Sequence, residues 1–432
     1  MPRDSRIIPI TVVPQEGFPE TALHSLRSDS KLRGVSPAPT FNSSSSDTTD
    51  SGLAAPPPLA LYVHWPWCVK KCPYCDFNSH EAKADIDEAA YLAALIADLE
   101  AALPQIWNRP VMSVFIGGGT PSLMSAETAD ALLAAIRMRV PLHADAEITL
   151  EANPGTAEAE KFKAFREAGV NRLSLGIQSF NDEKLKALGR IHDSREARLA
   201  IDLALTHFAR VNIDLMYALP QQNLTEAGHD IDTAIASGAS HLSAYHLTLE
   251  PNTPFHHTPP PLPDDDIAAD MQEMSEAKLA TAGFTHYETS AFAKPGEQCR
   301  HNLNYWAFGD YLGIGAGAHS KLSNHAEIWR EARHRNPRAY MQGAMRGDFI
   351  STRQTISATD LPGEFMMNAL RLTNGFPLRL FTERTGLPLT TIEKSALAAR
   401  REGLLETVED TLRPTQQGQR FLNQLLARFL AD

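Results

Sequence analysis

From Leu59 onward the chain repeats one unit, a short apolar run that reads as a strand followed by an amphipathic stretch that reads as a helix. The repeat recurs roughly every thirty residues, the length of a βα unit, and it limits the fold more than any other feature. The predicted strands cover 59–65, 111–117, 146–153, 172–179, 211–219 and 241–250. Between them 86–103, 126–138, 157–168, 194–209 and 225–237 space Ala, Leu and charged residues for one buried helical face. A helix between two strands carries the chain back to start the next strand in the same direction, so the repeat favours a parallel sheet. The expected class is α/β, a partial (β/α)6 barrel that either closes or stays an open arc, with functional residues at the strand carboxyl ends.

Outside the repeat the pattern changes. Residues 1–57 lack periodicity and carry Ser36-Pro37-Ala38-Pro39, the serines Ser43 to Ser46 and Pro56-Pro57-Pro58, which reads as a disordered leader. Its apolar stretch is broken by Pro9, and the acids Asp4, Glu16, Glu20 and Asp29 suit neither a secretory signal nor a mitochondrial presequence. A core is expected over 58–295, in which the sheet resumes at 284–293, followed by a sheet extension and bridging segment over 296–356 that carries the His301–Trp306 motif. The last unit, 357–432, reads as helices at 361–372, 378–385 and 389–402, a hairpin-like 404–412 and a final helix at 416–430. That order suggests a mostly helical, winged-helix-like domain. Such modules bind DNA or act as lids and docking surfaces, and a net charge of -12 favours the second use. No apolar run approaches the 18 or so residues that span a bilayer.

Of the 4 cysteines, Cys68, Cys72 and Cys75 lie together just after the first strand, and Cys299 stands far away. This makes a poor disulfide framework and a good local ligand set, and it points to a reducing, cytoplasmic location. Three thiolates at these spacings can each reach a different iron of a [4Fe–4S] cube and leave one iron open. The amine and carboxylate of S-adenosylmethionine suit that iron, and an electron from the cluster can then cleave the sulfonium. A zinc site completed by Cys299, His64 or His80 competes, without the second ligand pair that zinc knuckles usually show.

Further signals stand at the strand ends. Gly117-Gly118-Gly119-Thr120-Pro121 offers bare backbone to a ligand's ammonium. Glu151 ends the third strand, and Asp214 places a carboxylate inside an apolar run, which is costly unless something satisfies it. His301-Asn302-Leu303-Asn304-Tyr305-Trp306 joins an imidazole to aromatic faces, a combination suited to haem.

The cysteine spacing, with an aromatic before Cys75, resembles the radical S-adenosylmethionine superfamily. Tyr62-x-His64-x-Pro66-x-Cys68, the Gly117–Pro121 run, Glu151-x-Asn153-Pro154, Ser174 to Phe180 and Asn212 to Tyr217 resemble its oxygen-independent coproporphyrinogen III oxidase group. Cys75-Asp76-Phe77-Asn78-Ser79-His80 and the His301–Trp306 motif are similar to the haem-chaperone branch. The resemblance covers about 59–430 and implies a radical-SAM barrel with Cys68, Cys72 and Cys75 on a [4Fe–4S] cluster. It implies S-adenosylmethionine contacts from Tyr62, Gly118, Gly119, Thr120, Glu151, Gln178, Arg190 and Asp214, and haem contacts from His301, Tyr305 and Trp306.

Phe77 departs from the oxidase branch, which carries a fourth cysteine there. The expectation is therefore a haem chaperone that binds cluster, S-adenosylmethionine and haem, serves porphyrin biosynthesis and hands haem to acceptors such as respiratory cytochromes. Whether it also acts as an enzyme is left open, with an electron donor required if S-adenosylmethionine is cleaved. Nucleic acid is not expected as a partner; peripheral membrane contact and a homodimer stay open. The alternatives are a coproporphyrinogen III oxidase and a zinc-stabilised interaction protein.

Overall fold

A computed structural model describes residues 52–83, 85–155 and 159–430. Its core alternates β1 (Leu59–Trp65), α1 (Glu88–Ala102), β2 (Val111–Gly118), α2 (Ala126–Arg139), β3 (Leu142–Ala152), α3 (Phe162–Ala168) and β4 (Arg172–Gln178). It continues through α4 (Ser194–His207), β5 (Arg210–Tyr217), α5 (Leu224–Ala236), β6 (His241–His246) and α6 (Asp265–Thr281). Local chemistry starts the helices where the sequence does. Asp193 and Asn223 each form a reciprocal capping box with the glutamate three residues on, opening α4 and α5.

β1 to β6 are neighbours in that order and all run parallel. The sheet does not stop there. A hairpin of β7 (Thr285–Glu288) and β8 (Ala291–Ala293) adds antiparallel to β6. Beyond the helix α7 (Arg300–Trp306), β9 (Asp310–Ile314) adds parallel to β1 on its free side. Antiparallel β10 (His319–Ser323), β11 (Ile328–Arg333) and β12 (Ile350–Thr355) follow, giving a 12-stranded sheet whose two edges do not meet. The barrel is thus an open arc, wider than the six strands of the repeat.

Each core strand alternates. Leu61, Val63, Val114, Ile116, Leu150, Leu173, Leu175, Val211 and Ile213 face the helices and belong to one large apolar core. The residues between them face the inside of the arc, and there Tyr62, Ser113, Glu147, Glu151, Arg172, Ser174, Asn212, Asp214 and His241 are mostly polar. Barrel interiors are usually filled by branched apolar side chains, so a polar lumen marks this one as built for chemistry.

The C-terminal domain packs α8 (Leu361–Ala369), α9 (Leu378–Thr385) and α10 (Thr390–Arg401) around a second core. The hairpin β13 (Leu405–Val408) and β14 (Thr411–Pro414) pairs with Phe376–Pro377. Three details differ from the sequence reading. The single terminal helix is two short ones, Gln416–Arg420 and Leu422–Leu426, separated at Phe421, whose φ of -110 and ψ of 39 are not helical. The His301–Trp306 motif, given no element in the sequence reading, is the helix α7. The leader reading fails for its last residues: Leu53 is buried in the C-terminal core and its carbonyl accepts from His325 Nδ1 at 2.8 Å. Residues 1–51 lie outside the described residues.

Candidate functional site

The cysteine loop leaves β1 at its carboxyl end and returns at once. His80 N donates to Pro66 O at 2.7 Å and Ala82 N to Cys68 O at 2.9 Å, so Pro66–Cys68 and His80–Ala82 close its base. Lys71 Nζ donates to the carbonyls of Phe77 (3.0 Å) and Ser79 (3.2 Å), folding the tip back over itself. Cys68, Cys72 and Cys75 are all unpaired and half-buried on this loop. Burial pushes the Cys75 thiol up to about 11 and raises that of Cys68, so a metal's charge would have to deprotonate them.

Asn78 anchors the loop from behind. Its Nδ2 donates at 2.9 Å to both Ala316 O and Arg335 O, and its carbonyl accepts from His64 Nε2 at 2.9 Å. With Nε2 donating, His64 Nδ1 accepts from the Tyr62 hydroxyl at 3.0 Å. The glycine-rich segment after β9 is needed here, since a Cβ on Gly317 would lie 2.1 Å from Asn78. The sequence reading named His64 as a possible zinc ligand and Asn78 only within the cysteine motif, and missed both as the parts that hold the loop. Their signal was the cysteine motif itself, which contains His64 and ends beside Asn78.

The glycine run at the end of β2 lies against the base of the loop. Gly119 N donates to Trp65 O and Thr120 N to Trp67 O, each at 2.7 Å. A Cβ on Gly119 would meet Trp67 O at 2.5 Å, and Gly118 has a φ of +117 with the His64 ring beside it. Gly118 N donates to Glu151 Oε2 at 3.0 Å. Burial, then the charge of Asp214, raises Glu151 to about 8.

Thr120, Asn153 and Arg190 link this cradle to the thiols. Asn153 Nδ2 donates to Thr120 Oγ1 at 2.9 Å, Arg190 Nη2 donates to Asn153 Oδ1 at 2.6 Å and to Gly176 O at 2.7 Å, and Arg190 Nη1 points at Cys72 Sγ at 3.7 Å. Arg190 Nε is buried without a hydrogen-bond partner among the described residues. Gln178 ends β4 with a φ of 69, a strained conformation that turns the chain out of the sheet. Asp214 lies deeper, accepting from Asn212 Nδ2 at 2.8 Å and Ser174 Oγ at 3.1 Å, which offsets the cost of burying it.

The donor set therefore fits a [4Fe–4S] cluster: three free thiols on one loop, a guanidinium beside one of them, and bare glycine backbone alongside. Among the described residues no group of His, Cys, Asp and Glu gathers as it would around a single metal ion. Cys299, the fourth ligand of the zinc alternative, is bonded to Glu147 Oε1 at 3.5 Å at the amino ends of the strands. His64, another, has both ring nitrogens engaged.

The His301–Trp306 motif sits elsewhere. α7 lies across the amino ends of the strands, and His301 is 4% exposed with Nδ1 at 3.1 Å from Ser113 Oγ. Its ring lies 5.0 Å from Phe115 and 6.4 Å from Tyr62, centroid to centroid. Trp306 turns the other way, under the Arg371 guanidinium, and Tyr305 lies 4.9 Å from the Tyr311 ring.

Known proteins resemble the chain in both of its domains. The model of the radical SAM superfamily matches residues 62–234 and that of the HemN C-terminal domain matches 356–421. The heme chaperone HemW of Escherichia coli (strain K12) is 49% identical over 378 residues, covering 87% of this chain and 99% of the relative. The heme chaperone HemW of Haemophilus influenzae is 47% identical over 382 residues, with the same coverage. A bovine mitochondrial radical S-adenosyl methionine domain-containing protein 1 is 37% identical, covering 86% of this chain and 87% of the relative. The solved structure of E. coli coproporphyrinogen III oxidase, HemN, superposes with a TM-score of 0.74 over 87% of this chain and 90% of that one, at 23% identity, so the fold is shared.

Proposed function

We propose a haem-carrier function from one premise: the chain belongs to the HemW family of radical SAM proteins. The observation that carries it is identity at 49% across 99% of a relative named for haem carriage, joined to a thiol loop that suits the family's cluster. Cys68, Cys72 and Cys75 would hold the [4Fe–4S] cluster. Gly118, Gly119, Thr120, Glu151, Gln178, Arg190 and Asp214 would line S-adenosylmethionine, with Tyr62 orienting His64 beneath it. When bound, the pair supplies one-electron reductive chemistry at a sulfonium. The chain's own part is to hold the loop through Asn78 and His64, present bare backbone at Gly119 and keep Glu151 protonated by burial.

Phe77, 42% exposed on the loop, stands where the oxidase group has a fourth cysteine, which favours carriage over coproporphyrinogen oxidation. Haem contact at His301, Tyr305 and Trp306 belongs to this reading, as do a cytoplasmic location and delivery to respiratory cytochromes. Among the described residues no helix is long and apolar enough to cross a membrane. The test is anaerobic reconstitution of the full chain with iron, sulfide and then haem. Haem absorption bands that titrate to saturation, with coproporphyrinogen III left unchanged, are the expected result; formation of protoporphyrinogen IX would replace this reading with the oxidase.

A further inference from the structure

The floor of the arc holds two arginines that neighbour each other in register, Arg172 on β4 and Arg210 on β5. Arg210 is fully employed. It pairs with Glu147 at 2.7 Å and Glu297 at 3.0 Å, and donates to Gln298 O at 2.8 Å. Arg172 is the more deeply buried, at 2% exposed, yet its guanidinium has no hydrogen bond and no carboxylate at ion-pair distance among the described residues. Glu147 lies between the two arginines and its charge acts on both, yet only Arg210 reaches it directly, so the Arg172 N–H groups are left without hydrogen-bond acceptors among the described residues.

Arg172 is not alone. Thr149, its register partner on β3, is fully buried, and its Oγ1 has no hydrogen-bond partner among the described residues. The next residue in the same row is Phe115, followed by Tyr62 on β1, and these two rings stack at 6.2 Å. The lumen floor therefore presents a guanidinium whose N–H groups lack acceptors and a hydroxyl without a partner side by side, next to an aromatic wall that His301 extends.

We propose that this floor is an anion site, in which Arg172 and Thr149 bind the carboxylate of a ligand carried on an apolar stem. A planar, singly charged carboxylate suits a guanidinium fork, and the aromatic wall suits the stem. The Asp214 carboxyl further up the lumen argues against a more highly charged phosphate. Two sources share this chemistry: a propionate arm of haem reaching down the lumen, which rests on the carrier reading above, or a free small carboxylate, which does not.

The test uses the full-length, cluster-loaded protein and three probes: haem, haem dimethyl ester and 3-phenylpropionate. If a haem arm is the ligand, haem binds about tenfold or more tightly than its diester, and Arg172→Gln abolishes the difference. If the ligand is a free carboxylate, haem and diester bind alike, and calorimetry detects 3-phenylpropionate on the wild type but not on Arg172→Gln. No preference for haem over diester together with no binding of 3-phenylpropionate overturns the site, as does an Arg172→Gln protein that behaves like wild type. If Arg172→Gln fails to fold, Thr149→Val decides: a loss of several-fold in the same binding signal upholds the site, and an unchanged signal overturns it. Should the wild type bind no haem at all, the carrier reading falls, and the 3-phenylpropionate measurement still tests the floor.

Discussion

The two ends of the barrel are built on opposite principles. At the carboxyl ends, three thiols sit on a loop held mainly by its own backbone and by Lys71, with Asn78 pinning it from behind. At the amino ends, Glu147, Arg210, Glu297, His241, Asn212 and Tyr287 form contacts that need nothing added. The rim leaves three thiols free of disulfides, whereas the floor's polar groups satisfy one another except at Arg172 and Thr149. One end is a socket and the other a foundation.

The largest test of that contrast is Cys72→Ser. Iron and sulfide content after anaerobic reconstitution should fall to near zero, while the urea midpoint of the apoprotein should hardly move. A variant that unfolds instead would mean that the loop is structural.

Glu147→Ala attacks the other end, leaving Arg210 and Arg172 without the acid between them. It should cost about 3–5 kcal/mol in urea unfolding of the apoprotein, because a buried charge loses its counter-charge. A cost near zero would show the floor to be solvated rather than foundational.

Gly119→Ala sharpens the rim. The new Cβ would collide with Trp67 O at 2.5 Å, displacing the cradle and not the thiols. Iron content should stay at the wild-type level while S-adenosylmethionine affinity, read by calorimetry, drops roughly tenfold, equivalent to about 1.4 kcal/mol.

The smallest effect is on pH dependence. Burial raises Glu151 from an ordinary 4.5 to about 8, so between these values the folded chain keeps a proton that the unfolded chain releases. Apoprotein stability contributed by this group is therefore present below the lower value and lost as pH rises through the upper one. Glu151→Gln should flatten the fall in urea midpoint across that window, and an unchanged slope would show that Glu151 is ionised in the fold.

Much of the rim was legible in the sequence because its parts are contiguous. A ligand loop must bring its donors within a few residues of one another, so Cys68, Cys72, Cys75 and the Gly117–Pro121 run reveal themselves by spacing. The βα repeat was legible for the same reason: β1 begins and ends at the predicted residues, and β2, β4 and β5 shift by one or two at their ends. The helical state of the His301 motif was not legible, since its seven residues are too few to show a period and it is fixed by packing across β1, β2 and β9. The fate of Gly52–Pro57 was hidden too, because a proline-rich run gives no sign of the distant core, Phe308 to Phe429, that buries Leu53.

By itself, then, the sequence determined the class of fold, the cysteine loop and the glycine run beside it, all consequences of local order along the chain. Only the tertiary structure decided which face of each strand forms the lumen, and that Glu147, Thr149, Arg172 and Arg210, scattered over more than sixty positions, meet at one level of it. Strand register brings them together, and register is set by side chains packing between strands and helices far apart in sequence.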